Sequence, residues 1–191
     1  KTYFPDISNM QSVKEIGKQL TFHDRDGNFY NITPALAPSG DKIAYLTDKS
    51  GYADIMLISA IDGTVIKKIV SGEKTPNLEE LHWLSPGMSW SPDSKKLVFS
   101  AKASDNDAML IIDVLTGEIE QYTWSDLEGV FGGSWSPDGS KIIFSGIYHG
   151  QSDIYVFDLD KKQKYKITDD IFSDTRAVFS RDGKKIAFVS D

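Results

Sequence analysis

One unit of twelve residues occurs four times in a chain of 191. Its fullest copy is Ser134-Trp135-Ser136-Pro137-Asp138-Gly139-Ser140-Lys141-Ile142-Ile143-Phe144-Ser145. It returns as Ser89 to Ser100, more loosely as Ala35 to Leu46, and as Val178 to Val189 with Arg181 in the proline position. Each copy reads as a strand, a tight turn and a second strand. Proline presets φ for the second turn position, aspartate suits the third, and glycine relieves the fourth. The apolar triplet that follows, Ile142-Ile143-Phe144 in the fullest copy, has no polar face, as a strand covered on both sides requires. A repeat of this kind restricts the fold to architectures in which like units shelter one another, because one unit cannot bury its own apolar faces.

Measured at the turn position, the spacings are 54, 45 and 44 residues, from Pro38 to Pro92, to Pro137, to Arg181. That period suits four-stranded propeller blades. A second strand pair lies between successive hairpins: Ile55 to Ile58 with Val65 to Val70, Ala108 to Ile112 with Glu118 to Thr123, and Asp153 to Phe157 with Lys164 to Thr168. We name the four strands of a repeat a, b, c and d. Strands b and c are apolar at successive positions, whereas d mixes charged and apolar residues, as an edge facing water does. The spacing predicts tight a–b and c–d turns and longer b–c and d–a connections.

The start of the chain fits the same phase. Thr2 to Ile7 reads as a strand c and Val13 to Thr21 as a strand d, with a helix over Ser12 to Leu20 as the alternative. The chain stops at Asp191, just past a strand b. The predicted fold is all-β: a β-propeller of four-stranded antiparallel blades, three of them full, with c–d strands at the N-terminus and a–b strands at the C-terminus, or four blade equivalents. The parts are 1–21, 22–70, 71–123, 124–168 and 169–191. A closed four-bladed ring, an eight-bladed ring of two chains, and an arc of a larger ring all fit, and the abrupt ends favour the arc. Open blade edges in such an arc invite self-association.

Composition narrows the partners. A net charge of −7, with no basic block, argues against nucleic acid and against an anionic membrane surface. No apolar run approaches the length that spans a bilayer. There is no cysteine, which removes disulfides and thiolate zinc sites and fits an exported life.

The repeat is similar to the Pro-Asp propeller repeats of the TolB family: aromatic, Ser, Pro, Asp, Gly, Lys, then an apolar strand. The third copy carries this pattern intact; Ser94 replaces the glycine of the second, Ser39-Gly40 replaces Asp-Gly in the first, and Arg181 replaces the proline of the fourth. The resemblance covers nearly the whole chain. It implies a bacterial or archaeal propeller, often exported to the periplasm or beyond. Related propellers act as protein-binding platforms, as gating domains of peptidases, and occasionally as lyases on acidic sugars.

No catalytic set stands out. There is no Gly-x-Ser-x-Gly elbow and no phosphate-binding glycine loop. His23, His82 and His149 lie far apart, and Asp24-Arg25-Asp26-Gly27-Asn28 fails the calcium-loop register because Phe29 stands where glycine is needed. Neither a metal nor another cofactor is expected. Asp54, Asp107 and Asp153 recur before strand c and are read as acceptors for loop amides. Trp90 and Trp135 belong to the repeat and are read as wedges between blades. The b–c and d–a connections share one rim, and loops carry function more often than strands. That rim holds the candidate binding residues Tyr52, His82, Trp83, Trp124, Tyr148, His149 and Arg176, a composition suited to a protein interface. For Trp83 and Trp124 the alternative is that each packs its own loop onto the strands. The expected function is a non-catalytic scaffold for a protein or peptide partner. The alternatives are a gating portion of a larger exported hydrolase and a metal-assisted lyase on acidic saccharides.

Overall fold

The computed structural model of the chain describes residues 18–21, 30–72, 78–81, 87–103 and 106–191, the side chains of 78–80 excepted. Its secondary structure there is entirely β. The first sheet comprises β1 (Asn31–Leu36), β2 (Lys42–Thr47), β3 (Asp54–Ser59) and β4 (Val65–Val70), hydrogen-bonded in that order. The second has β5 (Leu78–Leu81) and β6 (Met88–Trp90) both on β7 (Lys96–Ala103), followed by β8 (Asn106–Asp113) and β9 (Ile119–Tyr122). The third is β10 (Gly129–Trp135), β11 (Lys141–Tyr148), β12 (Gln151–Asp158) and β13 (Gln163–Lys166); β14 (Asp174–Phe179) and β15 (Ile186–Ser190) form a two-stranded fourth. All pairings are antiparallel.

The cores lie between sheets. Leu46, Ile55 and Leu57 of the first sheet meet Trp90, Leu97, Phe99 and Leu110 of the second. Val98, Met109 and Ile111 of the second meet Trp135, Ile142, Phe144 and Phe157 of the third. Ile143, Ile154 and Val156 of the third meet Ala177 of β14. The b and c strands therefore present alternate residues to two neighbours, which is why they are apolar throughout. Each large side chain so buried contributes about 1.5–3 kcal/mol. The d strands β4, β9 and β13 are mostly exposed. The repeat tryptophans do sit between sheets: Trp90 Nε1 donates to the Ala35 carbonyl of the preceding sheet at 2.9 Å.

Two expectations about connections are corrected. The b–c connections are not uniformly long. Tyr148 pairs with Gln151, so His149 and Gly150 alone make that turn. Both have positive φ, 50° and 76°, the geometry that matches the twist of a hairpin. Ala103 likewise pairs with Asn106. Nor is 71–87 one loop, since Leu78–Leu81 is a strand on β7. Of the expected N-terminal strand pair, 2–17 lies outside the described residues, and residues 18–21 are not in a strand.

Candidate functional site

β1, β5 with β6, β10 and β14 each form one edge of their sheet, and each is interrupted near its middle. In three of them two residues stand opposite one. Thr33 and Pro34 face Tyr45, Gly132 and Gly133 face Phe144, and Arg176 and Ala177 face Phe188. These are β-bulges, which bend a strand and re-aim its side chains. The first residue of each has positive φ: 49° at Thr33, 74° at Gly132 and 57° at Arg176. Glycine adopts that region without penalty; threonine and arginine do so under strain. In the second sheet the pairing runs from Leu81 on Ala101 to Met88 on Phe99, so the ladder on β7 is interrupted at Ser100.

The four interrupted strands surround one cavity of about 560 Å³. Thr33, Met88, Phe131, Ser134, Arg176 and Val178 are among its lining residues. Crowding decides two positions: a Cβ on Gly87 would overlap the Gly132 backbone, and one on Gly133 would press on Val98 at 3.2 Å. Arg176 is the sole charged residue of the lining, and it has no ion-pair or hydrogen-bond partner among the described residues. The Thr33 hydroxyl is buried and likewise has no partner there.

Among the described rim candidates, Tyr148 and His149 are brought into contact at the β11–β12 turn, ring centroids 4.1 Å apart. Tyr52 is exposed in the β2–β3 connection. Trp124 is packed: its ring stacks on Phe144 at 4.8 Å and meets Phe157 edge-on at 5.4 Å. It supports from behind an aromatic that lines the cavity. Arg176 alone of the candidates lines the cavity itself. His82 and Trp83 lie outside the described residues. The bulges were the missed feature. Pro34 within a strand run and the Gly132-Gly133 pair were their signals, since both residue types within strands mark bulges.

The recurrent aspartates before strand c are structural. Asp54 accepts from Gly72 N at 3.2 Å and pairs with Lys68, Asp107 accepts from Val130 N at 3.1 Å, and Asp153 pairs with Lys166 at 3.0 Å. The Asp169 carboxylate, then Asp153, raises the Lys166 ammonium pKa. No cluster of three potential metal ligands occurs among the described residues.

The family model of the TolB β-propeller domain, PD40, matches residues 77–191. This chain belongs to the TolB β-propeller family. Its sheets are therefore those of a β-propeller. TolB from Acinetobacter baumannii is 28% identical, with a TM-score of 0.69 over 83% of this chain and 37% of that one. A TolB-assigned protein from Agrobacterium tumefaciens is 25% identical, with a TM-score of 0.68 over 82% of this chain and 52% of that one. Oligogalacturonate lyase from Vibrio parahaemolyticus, at 12% identity and a TM-score of 0.63, shares the fold alone over 82% of this chain and 44% of that one. The chain thus spans roughly a third to a half of these relatives' lengths. No curated protein sequence matches it.

Proposed function

We propose that this chain is part of a non-catalytic TolB-type propeller that takes a segment of a partner protein into the cavity between its interrupted strands, with Tyr52, Tyr148 and His149 on the adjoining rim. The observation that carries this reading is the cavity itself. Four repeats each break strand pairing, three opposite the same repeat position and the second one residue further along β7, and those three hold left-handed backbone there. Strain repeated around one opening serves a ligand better than it serves a sheet. Neither the gating nor the lyase alternative has an observation of its own in its favour. An exported location accords with the family and with the lack of cysteine.

The ring follows from the same reading. Three blades are complete, β14–β15 are the a and b strands of another, and the expected c–d pair is left to residues 1–21, of which the described 18–21 are not in a strand, with repeat boundaries at 22–70, 71–123, 124–168 and 169–191. Lys18 supports this. It donates to the Ile61 carbonyl at 3.1 Å, and Lys67 of strand d in the first blade donates to Leu115, the matching carbonyl of the second, at 3.4 Å. Lys18 thus stands towards the first blade as an outer strand stands towards its successor.

Site-specific photocrosslinking in the producing cell tests the function. A benzophenone amino acid at Ser89 or Tyr148 is expected to give an adduct with one protein species, and one at Leu115, exposed on a c–d turn, none. Adducts from Leu115 alone, or from no position, would sink the reading.

A further inference from the structure

We propose that the group received in the cavity is a carboxylate carried by a peptide segment, and that Arg176 is the residue that binds it. This rests on the cavity reading above. In a chain of net charge −7, the sole charged side chain lining the cavity is a cation, and it lacks a counter-ion among the described residues. Its backbone is held in the left-handed region that favours glycine: Arg176 has φ 57°, while the matching position of the third blade is Gly132 at 74°. A guanidinium offers paired donors that match the two oxygens of a carboxylate. Thr33, another lining residue, has a buried hydroxyl with no hydrogen-bond partner among the described residues. Met88, Phe131 and Val178 add apolar surface for the methylene stem or backbone flank of an acidic residue, and Ser89, Ser134 and Thr175 place hydroxyl-bearing residues beside it. One isolated cation is too little for a nucleic-acid backbone. An aspartate or glutamate side chain and a C-terminal carboxylate share this chemistry.

Peptide titrations followed by amide NMR separate these sources. The probes are acetyl-Gly-Glu-Gly-amide, acetyl-Gly-Gly-Gly with a free C-terminus, the glutamine peptide acetyl-Gly-Gln-Gly-amide, and trigalacturonate. At least one carboxylate peptide is expected to shift the Ser89, Gly132 and Arg176 amides with a Kd tenfold or more below that of the glutamine peptide, and the tighter of the two identifies the source. Arg176→Gly is expected to abolish that preference while leaving Tm unchanged or raised, because glycine fits the left-handed backbone. Arg176→Lys keeps the charge but not the fork, and should retain only part of the preference. The carboxylate assignment falls if the glutamine peptide binds equally, if Arg176→Gly binds as the parent does, if trigalacturonate alone binds, or if nothing binds. Equal binding of the glutamate and glutamine peptides with shifts confined to Ser89 and Gly132 would leave the cavity reading standing. Shifts mapping away from the cavity would remove both.

Discussion

Ser136 ties the third a–b turn from two directions. Its Oγ accepts from Lys141 N at 2.9 Å and donates to Asp138 Oδ1 at 2.6 Å, and that carboxylate accepts from Ser140 N at 3.0 Å. Ser91 with Asp93 and Ser180 with Asp182 repeat the arrangement. The Ser136 hydroxyl, followed by Ser140, holds the Asp138 carboxyl down from 3.8 to about 2. The Asp93 and Asp182 carboxyls are lowered for the same first reason, a serine hydroxyl. Folding makes these groups easier to ionise, so they stabilise the fold while ionised. The Asp138 contribution is whole above pH 3.8 and goes as the pH falls towards about 2, and those of Asp93 and Asp182 are lost in the same direction. Thermal melts should show a flat Tm from pH 7 to about 4.5 and a decline below it, and the decline should shrink in Asp138→Asn. Ser136→Ala should cost about 1–2 kcal/mol at pH 7 in urea unfolding, because Ser136 is buried and the Lys141 amide loses its side-chain acceptor. A melt that is flat to pH 2, or a silent alanine, would contradict this account of the turn.

At the scale of the strand and the sheet, the repeat motif made most elements readable. Val65 to Val70 is β4 as the apolar and charged mixture implied, and the b and c strands fall where the apolar triplets stand. Three things were hidden because they depend on pairing rather than on pattern. The polar stretch Tyr148-His149-Gly150-Gln151 has the composition of a loop, yet two left-handed residues suffice to turn it and the ladder runs to its end. The bulges leave the apolar periodicity of their strands nearly intact, so only Pro34 and Gly132-Gly133 betray them. Trp124 has no apolar neighbours in sequence, and its partners Phe144 and Phe157 come from strands further along the chain. Of the candidate site, Arg176 was picked out by residue type, but its place in the cavity follows from a bulge that no spacing revealed. Trp124→Ala should accordingly destabilise by about 3 kcal/mol in urea unfolding, as a lost packed aromatic does. Tyr148→Ala, which removes an exposed ring that touches only His149 among the described aromatics, should leave the midpoint within about 0.5 kcal/mol. Equal effects from the two would place Trp124 back on the rim.

At the scale of the whole molecule, the first sheet and the β14–β15 sheet are not equivalent. Among the described residues the first blade and β14–β15 share no packing contact, although Thr33 and Arg176 line the same cavity. Phe188 is 40% exposed where its repeat equivalents Phe99 and Phe144 are 3% and 1% exposed. Val189 beside it on β15 is exposed too, and among the described residues β15 pairs only with β14. An unpaired strand edge flanked by apolar side chains recruits another strand. Sedimentation of this 191-residue chain should therefore show mass rising with concentration, and Val189→Lys should shift it towards monomer without lowering Tm. Concentration-independent monomers would mean that the edge is already covered. The second blade carries a different lesson. Its ladder on β7 stops at Leu81 and resumes in phase at Met88, with Trp90 seated as Trp135 is one blade later. Segment length at that point is thus uncoupled from strand register, so sequences of quite different size can be spliced there while the blade closes around them unchanged, which makes it the natural place to graft a new recognition loop.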